Sequence, residues 1–256
     1  MPLSGESGYV RCCFSPRYRD EVETALLKID LFFARNEDLL PVFKECLPLI
    51  SEKEMKRAEK FISADTRETY ILAHAALRKC LSEYIDTKPE EILFETTENS
   101  KPYVAGNPVY FNISHTNKAF VIAIATGNYV GADIEEIIGK SDVRSIAMNF
   151  FSSEEQNFIF SAETEIDERF FLLWTRKESF LKAIGTGIVN RLDKVVVSED
   201  VNFIDRGIFE DLLTGELSSE HYIYSFKESD YYISVTAPCK ADISFHLLKP
   251  ADFKKT

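Results

Sequence analysis

The residues best suited to chemistry are three carboxylates and a lysine. Asp133 and Glu135 lie two apart at the end of the apolar run at 129–134, so on an extended strand they project from one face, with Gly131 leaving room beside them. Two like charges held together raise each other's pKa unless a cation lies between them, and a hard, oxygen-seeking divalent ion suits such a pair. A polar strand end would explain an isolated D-x-E equally well. Glu178 and Lys182 form the second set, four residues apart in the stretch ERFFLLWTRKESFLKAIG. There Phe171, Trp174, Glu178, Leu181 and Lys182 fall on one helical stripe, which puts a carboxylate in the middle of an apolar face, a costly position unless it is paired or metal-bound. A surface ion pair with Lys182 would be worth only ~0.2–0.5 kcal/mol.

A third cluster, Asn112-Ile113-Ser114-His115, ends a strand-like run. Ser114 and His115 are neighbours on a strand and point to opposite faces, so they do not form a nucleophile–base pair. A polar cluster that binds an anion or a base edge fits better.

The elements that must position these residues follow from periodicity. The Val- and Ile-rich runs at 120–125 and 129–134, separated by Thr126-Gly127-Asn128, predict a β-hairpin. Alternation at 25–33 predicts a first strand. A helix at 48–61 would begin at a capping box of Ser51 and Glu54. Its Lys53, Lys56, Arg57 and Lys60, continued by Arg67 and Arg78, form the best phosphate-holding candidate in an acidic chain, although a charge run is most often a solvated face. The clearest early helix is 65–85, with His74 on its packed stripe as a hydrogen-bonded core residue. Lys101 precedes Pro102 at a loop tip. A helix at 141–151 leads to another whose cap would be Ser153 with Gln156. Glu154 and Glu155 stand in its first turn, where carboxylates favour the helix dipole. The catalytic-looking helix 168–185 ends at Gly185, and β-rich runs follow at 194–198, 221–226, 231–237 and 243–248.

Bulk properties bound the function. With 256 residues, 45% hydrophobic and 28% charged, the chain can bury one large core or two smaller ones. A net charge of −12 argues against nonspecific nucleic-acid binding. No apolar run approaches the ~18 residues of a membrane span, and the leader lacks a signal-peptide core, so the expected setting is the cytosol without membrane association. Five scattered cysteines, including Cys12-Cys13 in the leader, read as free thiols rather than a zinc site.

Three ordered stretches, Asn112-Ile113-Ser114-His115, Gly131-Ala132-Asp133-Ile134-Glu135 and 174–185 (WTRKESFLKAIG), resemble the signatures of the 4′-phosphopantetheinyl transferase superfamily in its longer, Sfp-type branch. The resemblance covers roughly 51–187. It implies an α+β, sandwich-like fold of two similar α/β halves related by a pseudo-twofold, with the active site in the cleft between them. The halves would be 25–128, which grips coenzyme A, and 129–256, which binds metal and catalyses, after an extension at 1–24; they would meet near 127–131. It also implies transfer of the phosphopantetheine arm of coenzyme A to a serine of an apo acyl or peptidyl carrier protein. Mg²⁺ or Mn²⁺ would be held by Asp133, Glu135 and Glu178. Glu178 would take the serine proton, Lys182 would stabilise phosphoryl oxygens, and Glu155 would stand near the metal. Lys101, Ser114 and His115 would grip the coenzyme A phosphates, with Arg57 and Arg67 at the 3′-phosphate. A monomer would suffice, since a pseudo-dimer carries both sides of the site. Two other classes are a Mg²⁺-dependent phosphoester hydrolase and a silent adaptor that binds coenzyme A or a carrier. Asp133→Ala is expected to abolish transfer without lowering the melting temperature of the metal-free protein.

Overall fold

In the computed structural model the residues described are 26–139, 142–187, 192–198, 200–203 and 220–254. The leader with Cys12-Cys13 and the predicted helix start at Ser141 lie outside them. The first half runs β1 (Leu27–Arg35), short helical turns, α1 (Glu52–Ala58), α2 (Ala64–Ser82), a small ribbon of β2 (Glu95–Thr96) and β3 (Pro102–Tyr103), then β4 (Val109–His115) and β5 (Ala119–Thr126). The second runs β6 (Gly131–Glu136), α3 (Val143–Phe150), α4 (Ser153–Phe160), α5 (Ile166–Ile184), β7 (Val201–Phe203), β8 (Glu220–Glu228), β9 (Tyr231–Ala237) and β10 (Ala241–Leu247). Both halves thus repeat one pattern: a strand, a short capped helix, a 19-residue helix and an antiparallel strand pair.

The strands form two four-stranded sheets, ordered β10-β1-β5-β4 and β6-β9-β8-β7. The central strand β5 explains the layering. Phe120, Ile122 and Ile124 pack under α2 with Leu72, Leu77 and Leu81. Val121, Ala123 and Ala125 point the other way, into a core shared with Val130, Ala132, Ile134, Ile233 and Val235 of the second sheet. The outer face of that sheet is covered by α5, whose Phe171, Phe180 and Leu181 share a core with Ile223 of β8. The order of layers is therefore helix, sheet, sheet, helix.

The predicted β5–β6 hairpin does not form. β5 is flanked on both edges by β1 and β4, while β6 pairs with β9, so the segment after Thr126 crosses between sheets. A run apolar on both faces fits a central strand with no free edge as well as it fits a hairpin arm. The last strand, β10, does not stay with the second half: it lies parallel to β1, Leu27 opposite Ala241, in the first sheet.

Both short helices start with a capping box. That of α1 is Ser51 with Glu54, as the spacing predicts. That of α4 is Ser152 with Glu155, one residue before the predicted Ser153–Gln156, because Ser152 takes the extended N-cap conformation. In each box the glutamate turns inward to a cation of the long helix. Glu54 meets Arg78 of α2 at 2.9 Å, and Glu155 meets Lys177 of α5 at 2.9 Å. Arg78 is therefore a core residue, also donating to the carbonyls of Pro89 and Ile92, and no part of the basic surface. His74 is packed as expected, its Nδ1 2.9 Å from Glu54 and its ring over Tyr70.

His221 on β8 is fully buried, with Nε2 3.0 Å from the Tyr129 hydroxyl, the Phe180 ring edge against it and Nδ1 without a partner. Burial drives its pKa from 6.5 to about 4. The unfolded chain therefore takes up this proton first, and the His221 contribution is complete above pH 6.5 and lost on descending to about 4. Urea denaturation across this range should show an acid loss on the order of 3 kcal/mol that is missing from His221→Phe. Parallel pH slopes in the two proteins would contradict it.

Candidate active site

The site forms where the end of β4, the start of β6 and the C-terminal half of α5 meet. Alternation on β6 sends Val130, Ala132 and Ile134 into the inter-sheet core and Gly131, Asp133 and Glu135 toward α5. The helix comes unusually close there. A Cβ on Gly131 would lie 2.1 Å from the Ser179 carbonyl oxygen and 2.3 Å from the Ala183 nitrogen, so only glycine lets the two backbones touch. A row of small buried hydroxyls seats α5 along β9: Thr175 meets Ser234 and Ser179 meets Thr236, each at 2.8 Å. In the β6–β9 register Ser234 stands opposite Asp133 and Thr236 opposite Gly131, so this row fixes how far α5 slides past the acids. The Asn112 side chain of β4 accepts from the Ala132 N–H at 2.9 Å and ties the first half to β6.

The result is a triangle drawn from three segments. Lys182 Nζ is 2.5 Å from Asp133 Oδ1 and 2.8 Å from Ser114 Oγ, and the Ser114 hydroxyl lies 2.8 Å from Asp133 Oδ1. Lys182 thus bonds Asp133 across the interface, which the i,i+4 reading with Glu178 did not foresee. Glu178 is left with its buried Oε1 unpartnered, as is Asp133 Oδ2. Burial first, then the charges of Asp133 and Glu135 against the relief from Lys182, push the Glu178 carboxyl up to about 7. Orphaned carboxylate oxygens in mutually repelling acids are the donor set a hard cation would satisfy, so Asp133, Glu135 and Glu178 fit a divalent ion. They do not yet converge on one: among the described residues no three potential ligands stand at metal-binding separations, and the Lys182 ammonium supplies the positive charge at Asp133.

Two family models match: one described as the 4′-phosphopantetheinyl transferase superfamily over residues 129–236, the other as the N-terminal part of a 4′-phosphopantetheinyl transferase over 39–127. The chain is 32% identical over 162 residues to the 4′-phosphopantetheinyl transferase ffp of Bacillus subtilis, covering 58% of this chain and 71% of that one. It is 33% identical to gsp of Aneurinibacillus migulanus, covering 62% and 67%, and 37% identical to psf-1 of Bacillus pumilus, covering 55% and 60%. The chain belongs to the 4′-phosphopantetheinyl transferase superfamily. The matched stretch spans about two thirds of these relatives' length.

For a phosphopantetheinyl transferase, the expected site residues fall into three groups. Asp133, Ser114 and Lys182 are joined by hydrogen bonds, and the Glu178 carboxyl senses the charges of Asp133, Glu135 and Lys182. His115 projects from the opposite side of β4. Desolvation by the flanking protein, and after it the charges of His74, Lys182 and Arg57, hold its imidazole below the ordinary range. Arg57 lies over the Tyr70 ring and lines a surface depression with Lys53, Lys56, Lys60 and Glu52, the last paired with Lys56 at 2.6 Å. Arg67 donates to the Phe61 carbonyl at 2.8 Å at the start of α2.

Two expected residues are elsewhere. Glu155 is wholly buried in the second core. It accepts from the backbone N–H groups of Ser152 and Val197 and pairs with Lys177, itself bonded to the Leu192 and Val195 carbonyls. It holds α4 onto α5 and faces no solvent. Lys101 spends its ammonium on three backbone carbonyls, those of Lys182, Ala183 and Val130, and so has no proton left for a phosphate. Sequence reading also missed the hydroxyl row; Thr175 and Ser179, four apart and so on one face of the helix, were its visible signal.

Two outcomes follow. Gly131→Ala should destabilise the protein by roughly 3 kcal/mol and part Lys182 from Asp133, seen as a lower melting temperature and lost activity. A variant that melts like wild type would show that the backbones are not in contact. Because Asp133 is tied to Lys182 and Ser114, its removal should lower the metal-free melting temperature, contrary to the sequence expectation. Glu178→Gln, which removes the strained buried charge, should instead raise it by several degrees at pH 8, a gain on the order of 2 kcal/mol after allowing for partial exposure. Calorimetry of the two variants decides the order.

Proposed function

We propose that this chain transfers the 4′-phosphopantetheine arm of coenzyme A to a serine hydroxyl of an apo acyl or peptidyl carrier protein, in the cytosol and as a monomer. The observation that carries the reading is the Lys182–Asp133–Ser114 triangle, which gathers all three sequence signatures, and both halves of one chain, at a single point. His115, Arg57 and Arg67 would grip the phosphates of coenzyme A, and the depression lined by Lys53, Lys56, Arg57 and Lys60, with Glu52 at its edge paired to Lys56, would take the 3′-phosphate.

In the reaction the serine oxygen bonds to the phosphorus bearing the pantetheine arm, the pyrophosphate bridge breaks, and 3′,5′-ADP leaves. Glu178 is suited to receive the serine proton: its desolvated carboxylate has one oxygen free of other partners and a raised basicity. Lys182, with one N–H beyond those given to Asp133 and Ser114, would donate to phosphoryl oxygens as charge builds on them, and the Ser114 hydroxyl would join it by releasing Asp133. Mg²⁺ or Mn²⁺, held by Asp133, Glu135 and Glu178, would supply charge neutralisation of the pyrophosphate. The basic cluster of Lys53, Lys56, Arg57 and Lys60 suits a nucleotide of several phosphates better than the small ester of a simple hydrolase.

Intact-mass spectrometry of apo carrier proteins incubated with the protein, coenzyme A and Mg²⁺ tests this. A gain of one phosphopantetheine is expected, lost with EDTA and reduced by roughly three orders of magnitude or more in Lys182→Ala. Failure to modify any carrier while coenzyme A still binds would favour the silent adaptor.

A further inference from the structure

Lys101 lies at the end of the tight turn between β2 and β3, where Ser100 takes a left-handed conformation (φ 63°) and the Lys101 N–H donates to the Thr97 hydroxyl. The side chain leaves the first half and crosses to the second. Its ammonium donates to the carbonyls of Lys182 at 2.6 Å, Ala183 at 2.9 Å and Val130 at 3.3 Å. The first two belong to the last turn of α5. Carbonyls there have no helical N–H to accept from, because the helix turns off at Gly185 (φ 75°), whose N–H returns to Leu181. A cation at this end also meets the negative pole of the helix dipole. The third carbonyl immediately precedes Gly131, where the two backbones touch.

We infer that Lys101 is a positioning residue: its ammonium, reaching over from the first half, clamps the end of α5 to the start of β6 and so holds Lys182 and Glu178 in place over Asp133. The three donors of a lysine match the three carbonyls one to one, an arrangement a phosphate-binding lysine would have to break. Burial between the two halves also lowers the pKa of the ammonium to about 8. One of the three acceptors is the backbone of Lys182 itself, so the clamp acts on the reacting lysine through its own main chain.

The inference rests on the transferase reading for its rate measurement alone; the backbone measurement stands without it. Lys101→Met keeps the stem and removes the donors. Hydrogen exchange over residues 181–187 should quicken about tenfold or more in this variant, while kcat for carrier modification falls about tenfold and KM for coenzyme A stays within about twofold. A large rise in KM with unchanged exchange would make Lys101 a phosphate ligand and overturn the inference, as would a variant unchanged in both. If Lys101→Met does not fold, acetylation of wild-type lysines by an N-hydroxysuccinimide ester, with and without coenzyme A, replaces it. A clamped Lys101 reacts slowly at the same rate in both, and protection that appears only with coenzyme A refutes the clamp. If wild type proves inactive on every carrier, the transferase reading fails while exchange at 181–187 still decides the clamp.

Discussion

The contact of two backbones at Gly131 governs this molecule. Packed layers of secondary structure are normally held apart by the side chains between them, sheets by about 10 Å. Here α5 is drawn against β6 until a methyl group would collide with its carbonyl and amide groups, and that closeness lets short side chains do the work of long ones. Asp133 need not reach out for Lys182, and Ser114 from the other sheet edge touches both. The small hydroxyl residues on α5 and β9 serve the same end: each is narrow enough for close packing and polar enough to fix the slide of one element on the other.

Close packing needs rigid surroundings, and both halves supply them in the same way. A buried ion pair is costly unless its remaining hydrogen-bonding capacity is filled, and in both it is. Burial alone would raise the Glu54 carboxyl, but hydrogen bonds from His74 and Ser51 and the Arg78 charge hold it at about 2. Glu155 is enclosed by two backbone N–H groups and Lys177, whose ammonium is completed by two carbonyls. Each lock ties a short helix to a long one at a fixed register, so the long helix cannot rotate about its axis and carry its functional residues away.

What was legible in the sequence was local. Alternation on 129–135 assigned Asp133 and Glu135 to one face, and the stripe on 168–185 put Glu178 and Lys182 on another, because side-chain direction within one element depends on spacing alone. Pairing between elements was not legible. The runs at 120–125 and 129–134 suit a hairpin by every local rule, yet β1 and β4 had already taken both edges of β5. Glu155 and Lys101 mislead for a related reason: a charged residue near a motif looks the same whether it meets a ligand or a backbone carbonyl, and the cation paired with Glu155 lies 22 residues away while the carbonyls that hold Lys101 lie 29 to 82 residues away.

The course of β10 bears on how the molecule can come apart. The second half begins at the crossover after Thr126 and, past β9, sends its last strand back alongside β1 in parallel pairing. It is thus fastened to the first half at both of its ends, like a handle rather than a pendant. The seam holding the site cannot open as a hinge swinging on one linker; any opening must shear two fixed points together. Nor would the halves separate cleanly as independent chains, for a first half without β10 would bare the edge of β1, an open template for the corresponding strand of another molecule.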